Sequence, residues 1–243
     1  LKMYQKIILK ILGLFDFFHQ KKINNFLKKK GYKKFKIFFD VGAHKGETIN
    51  KFLSIFDIES IYSFEASPDN FSKLEKKLGD FKKKFFKTNI IIENIALGDK
   101  ENIVKLKQLS ESSSSTISEI NTNSVYFKRK IKYLFYLKEN FFLREFEIKQ
   151  VKLENYLIKN NLKNIDFLKI DTEGHEFQVI LGLEKFLNNV SLILFEHHYD
   201  SMLIKKYKFS DINNYLVNNN FKQIYKIKMP FRKTFEYIYL NKK

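Results

Sequence analysis

Cysteine and tryptophan are absent from the 243 residues, proline occurs twice and glycine only eight times. Without cysteine there are no disulfides and no thiolate metal sites, and a reducing compartment is the natural setting. Acids are scarce too: 27 stand against 45 lysines and arginines, for a formal charge of +18. No run reaches the roughly 18 uncharged apolar residues of a membrane span. The best candidate, IILKILGLFDFF at residues 7–18, carries Lys10 and Asp16, and no small-residue cleavage site follows it. Neither a span nor a cleaved leader is therefore expected. The chain opens on Leu1, and a residue or more is expected before it.

What remains is apolar and aromatic, with 27 phenylalanines, and the length suits one α/β domain able to bury most of that surface. The positive charge is nearly all lysine and comes with abundant Asn, Ile and Phe. A low-GC genome yields that bias without any polyanionic partner; a functional basic surface is the alternative. Residues 17–39 hold no acid, while Lys21, Lys22, Lys28, Lys29, Lys30, Lys33, Lys34 and Lys36 all fall there. A leading helical segment over residues 1–35 either packs on the domain or, amphipathic and lysine-flanked, lies on anionic lipid. The expected location is cytoplasmic, at the inner membrane surface in the second case.

From residue 36 strand and helix patterns alternate. KIFFD, SIYSFEAS, NIIIENIAL, NIDFLKID and VSLILFEHH read as five strands, and TINKFLSIF, PDNFSKLEKKL, ENYLIKNNL, EFQVILGLEKFL and DINNYLVNNN as helices. Repeated β-α-β units predict a mostly parallel sheet with helices on both faces. FKQIYKIK and FEYIYLN close it as an antiparallel hairpin around Met229 and Pro230. Residues 110–148 interrupt the alternation with a serine-rich loop, then a basic aromatic stretch, flanked by the alternating strands of GDKENIVKLKQL and EFEIKQVKL.

In an open parallel sheet, ligands sit beyond the carboxyl ends of the strands. Four of the five strands end on an acid: Asp40, Glu65, Asp171 and Glu196. The first runs into FFDVGAHKGETI, where Gly42 and Gly46 make a turn without the middle glycine of a dinucleotide loop and with bulky His44 and Lys45 inside it. A ligand without phosphate fits better, and S-adenosylmethionine has the right parts. Gly42 would let the backbone approach the methionine moiety, and Asp40 would face its ammonium directly or through water. Glu65 would accept both ribose hydroxyls. An ordinary tight turn beside a solvated strand end is the alternative.

FLKIDTEGHEFQVILGLEKFL, with FDVGAHKGETI, FEASPDN, NIALGD and ILFEHH, resembles the FkbM family of S-adenosylmethionine-dependent methyltransferases over residues 38–200. Similarity is weak through the 110s to 140s, and K-I-D-x-E-G-x-E is the most diagnostic part. The resemblance implies a Rossmann-like class I methyltransferase fold with a seven-stranded sheet, and O-methylation of a sugar, glycan or secondary-metabolite hydroxyl. By position it places Asp40, Gly42, Ala43, Gly46 and Thr48 at the cofactor turn. Glu65 and Ala66 fall at the ribose, Ala96 and Leu97 at the adenine, and Asp171, Glu173 and Glu176 in the acidic motif.

Methyl transfer from a sulfonium needs alignment above all, and a hydroxyl acceptor gains from a base. Asp171, His175, Glu196, His197 and His198 qualify by position; His197 or His198 comes first and His175 second, because imidazole titrates near neutrality. Glu173 could instead cap the following helix. A divalent ion held by Asp171, Glu173 and Glu196 is conceivable but not expected. Tyr126, Phe127, Lys128, Arg129, Tyr133 and Tyr136 suit an acceptor lid, with Ser112 to Ser115 as its hinge, or simply a covering helix. An RNA acceptor, which the charge would suit, and a non-catalytic binding protein are the rival readings. D-T-E-G after the fourth strand argues against amine acceptors.

Overall fold

The computed structural model describes residues 3–109, 115–134 and 142–243. Among them the helices are α1 (Met3–Lys29), α2 (Glu47–Leu53), α3 (Pro68–Lys84), α4 (Val125–Leu134), α5 (Leu153–Lys159), α6 (Glu176–Leu181) and α7 (Phe209–Asn218). The strands begin with β1 (Lys34–Val41), β2 (Asp57–Phe64), β3 (Asn89–Glu93), β4 (Ala96–Gly98), β5 (Asn102–Leu109) and β6 (Glu119–Ile120). Then come β7 (Phe142–Lys152), β8 (Ile165–Ile170), β9 (Val190–His198), β10 (Leu203–Ile204), β11 (Phe221–Lys228) and β12 (Thr234–Asn241).

Seven strands form the main sheet in the order β3-β2-β1-β8-β9-β12-β11. The expected parallel α/β architecture is present: only β12 runs against its neighbours, closing the hairpin with β11. The strand order reverses between β1 and β8, the switch point where such sheets open a crevice. On one face α1, α2 and α3 bury Ile23, Leu27, Ile49, Phe52 and Leu74 against Phe38, Phe167, Leu192, Leu194 and Ile238. On the other, α5, α6 and α7 bury Tyr156, Leu157, Val179, Ile180, Ile212 and Leu216 against Phe39, Leu168, Ile170, Ile193 and Phe195. Alternate residues of each strand thus feed opposite cores, as the pleat requires.

Two expected elements are divided. NIIIENIAL is two strands: β3 stays in the main sheet, whereas β4 joins β7 and β5 in a separate three-stranded sheet. Asn94 makes the break, donating its side-chain amide to the Glu65 carbonyl at 2.8 Å. Apolar periodicity is the same in either sheet, so it cannot register the change of partner. EFQVILGLEKFL is likewise α6 followed by a 3-10 turn at Glu184–Asn189, with Glu184 at a left-handed φ of 48°. A Cβ on Gly182 would lie 1.9 Å from the Gly98 carbonyl oxygen, so the helix end packs directly on the β4 backbone. Elsewhere the local signals hold: Ser67 caps α3, its hydroxyl accepting from the Asn70 amide at 3.3 Å, with Pro68 in the first turn.

The 110–148 segment is anchored at several points. Thr116 bridges to Lys107, β6 pairs with β10, and Phe127 of α4 is buried with Met202 and Leu203. Ser112, Ser113, Ser114, Tyr136 and the side chain of Tyr133 lie outside the described residues.

Candidate active site

A cavity of about 870 Å³ opens at the carboxyl ends of β1, β2, β8 and β9. Its first half is built by the turn after β1. The backbone amides there are all engaged within the chain: Gly42 and Ala43 donate to the Phe64 carbonyl at 2.9 and 3.0 Å, and Gly46 to the Ala43 carbonyl at 2.9 Å. Lys45 donates to the Glu47 carboxylate at 3.0 Å, and His44 to Glu65 Oε2 at 2.7 Å. The five amides of the turn itself, from Gly42 to Gly46, are thus taken, whereas a dinucleotide loop turns its amides toward the pyrophosphate. The His44 ring in turn holds the Glu47 carboxylate at 3.2 Å. Burial opposes the Glu47 charge, but those bonds prevail and bring its pKa down to about 2.

Glu65 is fixed at the end of β2 by two backbone donors, His44 on one oxygen and Ser67 on the other at 2.8 Å. Burial nevertheless pushes its pKa up to about 7, with the Ser67 and His44 amides pulling the other way. The Asn70 side chain also hydrogen-bonds the carboxylate, and the Glu65 side chain lines the cavity. Ala66, Ile95, Ala96 and Leu97 supply an apolar wall beside it, and Thr48 lies on the α2 side.

Gly42, at φ 88°, has a different reason from the one its sequence suggests. A Cβ there would sit 1.9 Å from the Asp171 carbonyl oxygen, so the backbone just beyond β8 demands glycine on its own account. Gly46 likewise packs on α3, where a Cβ would meet Phe81 and Leu74 at 2.7 and 2.8 Å, and it does not line the cavity.

The other half rests on one row of charges. Asp40, Lys169, Asp171, Glu196, His198 and Glu236 occupy like-facing positions at the ends of β1, β8, β9 and β12, on the side that α1 covers. Asp40 is fully buried behind the cavity wall rather than facing into it. Its nearest charge is Lys169 Nζ at 3.6 Å, which also reaches Asp171 Oδ2 at 3.2 Å. Burial lifts the Asp40 pKa to about 6 against the pull of Lys169. For Lys169, burial opposes the charge, and Asp171, Asp40 and Glu236 overcome it to hold the pKa above the ordinary lysine value. Both Asp40 oxygens lack a hydrogen-bond donor, a deficit that an ammonium or an ordered water at the turn would relieve.

Of the expected bases, His198 faces the cavity and His197 does not, since successive residues of a strand point to opposite faces. His197 is packed among Tyr199, Tyr207 and Phe209 on the α7 side. Burial, with Lys205 and His198 adding to it, brings its pKa down to about 3. His198 Nε2 lies 3.2 Å from Glu173 and 3.1 Å from Glu196, ion-pair distances without hydrogen-bond alignment. Its Nδ1 meets Asp200 at 3.4 Å and the Thr234 hydroxyl at 3.2 Å. Burial disfavours the imidazolium, but Glu173, Asp200 and Glu196 outweigh that and raise its pKa well above the ordinary value. The surrounding carboxylates thus favour the protonated imidazolium of His198. Glu196 has its pKa lifted to about 7 by burial and by Asp171, with His198 opposing. His175 lines the cavity, but its Nε2 is bound to Gln150 Oε1 at 2.9 Å, and burial brings its pKa down to about 4.

The acidic motif divides its labour. Glu176, at the start of α6, folds back to accept from the Gly174 amide at 2.8 Å, the Thr172 hydroxyl at 3.1 Å and the Tyr207 hydroxyl at 2.6 Å. That clamp shapes the turn in which Glu173 adopts a left-handed φ of 52°. Glu173 does not cap the helix; it turns toward His198. The expected oxygen ligands for a divalent ion thus surround an imidazolium or engage Lys169. Among the described residues no group of three or more His, Cys, Asp or Glu is arranged to hold a metal.

Four participants escaped sequence reasoning. Lys169 and Glu236 are charges set among apolar strand residues that pack in the core, a signal that could have marked them. Asp16 and His19 of α1 carry no such signal. Asp16 pairs with Arg232 at 3.2 Å, His19 binds Glu236, and both α1 residues line the cavity.

A sheet of this order, with acid-tipped strands around its switch point and a glycine turn closed to phosphate, is that of a class I S-adenosylmethionine-dependent methyltransferase. The fold is shared with methyltransferase FkbM from Methylobacillus flagellatus KT, at 14% identity and a TM-score of 0.53. That alignment covers 85% of this chain and 44% of the other, so this chain spans less than half the length of that protein. Magnesium protoporphyrin IX methyltransferase from Synechocystis PCC 6803, solved with S-adenosylmethionine bound, shares the fold at 10% identity and a TM-score of 0.52, over 99% of this chain and 85% of that one. No curated protein sequence matches the chain. The family profile of the methyltransferase FkbM domain matches residues 40–223, more than half of the chain, and the chain belongs to that family of S-adenosylmethionine-dependent methyltransferases.

Proposed function

We propose that the protein transfers a methyl group from S-adenosylmethionine to a hydroxyl of a sugar, glycan or secondary metabolite. Glu65 would hold the ribose through its carboxylate, the wall at Ala66, Ala96 and Leu97 would take the adenine, and the turn at Gly42 and Ala43 the amino-acid tail. Bound there, the cofactor supplies an electrophilic methyl that needs alignment more than activation.

The observation that carries the hydroxyl reading is the buried Glu196–His198 pair, braced by Glu173 and Asp200. A hydroxyl loses its proton as the new bond forms, and Glu196 is a carboxylate at the cavity with a pKa near neutrality. His198, favoured as a cation, orients Glu196 and offsets charge developing beside it. Tyr126, Tyr199 and Arg129 line the same side, surfaces suited to a sugar ring and its polar edge.

The test is incubation with donor carrying a labelled methyl against nucleoside sugars, glycans, small hydroxylated metabolites and RNA. The reading predicts label in a base-stable ether on one of the first three. Label in RNA, with binding that falls steeply as salt rises, would replace it. No transfer to any class, with intact binding of S-adenosylhomocysteine, would leave a non-catalytic binding protein.

A further inference from the structure

The helix α1 has two faces with different fates. Its inward face buries His19, Ile23, Asn24 and Leu27 against the sheet. Its outward face, on the opposite side of the helix, carries Leu14, Phe17 and Phe18, exposed at 54%, 53% and 49%, and then Lys21, Lys22, Lys28 and Lys29. No described carboxylate pairs with any of those four lysines. Large apolar side chains at such exposure on one stripe ask for a partner, and the charge beside them says which sign it bears.

A second exposed apolar group stands at the cavity mouth. Phe15 stacks edge-on against Phe231, ring centres 5.0 Å apart. Phe231 and Val125, both lining the cavity, are 77% and 73% exposed. They sit in different parts of the chain, the β11–β12 turn and the start of α4, so their exposure is an observation separate from the helix. Among the described residues no helix is long and apolar enough to cross a membrane. Such a surface suits the interface plane of a membrane, with apolar residues in the headgroup boundary and lysines at its edge.

We propose that an anionic lipid surface covers this face: α1 lies along the membrane, and Phe231 and Val125 enter it beside the cavity mouth. The active-site opening then faces the membrane, and α1, tied to the charge row by the His19–Glu236 and Asp16–Arg232 pairs, sets that orientation.

Sedimentation of the full chain with vesicles tests it. Binding is expected to phosphatidylglycerol–phosphatidylcholine vesicles and not to phosphatidylcholine alone, and to weaken as salt rises. Replacing Phe17 and Phe18 together by Glu is expected to cut partitioning by at least about tenfold, with the circular dichroism spectrum and melting temperature retained because both positions are exposed. Should that variant fail to fold, the pair Lys21→Glu and Lys22→Glu asks the same question through charge. Equal binding to both vesicle types, no binding at all, or full binding by the folded variants overturns the proposal. So would light scattering that shows a dimer which these substitutions dissociate, since a second copy would then cover the stripe.

Discussion

Lys169 stands between Asp40 and Asp171, 3.6 Å from the first and 3.2 Å from the second, on adjacent strands beneath the cavity. One buried cation thus links the acid of the glycine turn to the acid of the K-I-D motif. Breaking a buried pair by removing one partner costs about 3–5 kcal/mol, because the remaining charge is stranded. Lys169→Met should destabilise the protein by about that much in urea unfolding, and adding Asp40→Asn should recover part of the loss. A lysine variant as stable as the parent would show that the pair contributes nothing.

Glu65→Gln should weaken binding of S-adenosylhomocysteine about 10- to 100-fold in calorimetry, the scale of hydrogen bonds to a charged group. The amide also has only one oxygen for the two backbone donors at His44 and Ser67. Unchanged affinity would move the ribose elsewhere.

The two neighbouring histidines should separate cleanly. His198→Ala should lower kcat by about 10²–10³ while leaving cofactor affinity little changed. His197→Ala should act on stability, by about 1–3 kcal/mol through lost packing on Tyr207 and Phe209, with kcat near the parent value. The reverse pattern would mean that His197 faces the chemistry.

Turnover should depend on pH through Glu196. Its folded pKa is lifted to about 7, so the base is protonated and inactive below that and becomes available above it. The kcat profile should rise through neutrality, and Glu196→Gln should abolish that limb. A profile flat from pH 6 to about 8 would contradict the assignment.

Stability should follow the opposite sense. Asp40 and Glu65 have folded pKa values of about 6 and 7, above those of the unfolded chain. They bind protons more tightly when folded, so their contribution falls as pH rises from about 4 to 7. Melting temperature should decline across that window, and less so in Glu65→Gln. Identical slopes would remove Glu65 as a cause.

Much of the architecture was legible in the order of short acid-tipped apolar runs and helical segments. The turn FFDVGAHKGETI pointed to a ligand without phosphate, and the closed amides of Gly42, Ala43, His44, Lys45 and Gly46 supply the reason. The histidines were harder. His197 and His198 are adjacent letters, and their choice of face follows from where the pleat of β9 begins. The helix broken at Gly182 and the strand divided at Asn94 escaped for a related reason, since both breaks answer to backbone from another element.

Strand alternation, turn chemistry and the placing of acids at strand ends are local properties, and local spacing is enough to read them from the chain. That those acids share one face, that Lys169 lies among them, and that α1 roofs them through His19 and Glu236, 217 positions apart, came only with the packed molecule. Register and crossover decide which distant side chains meet, and burial together with the charges and hydrogen bonds it brings alongside then sets which of them holds a proton.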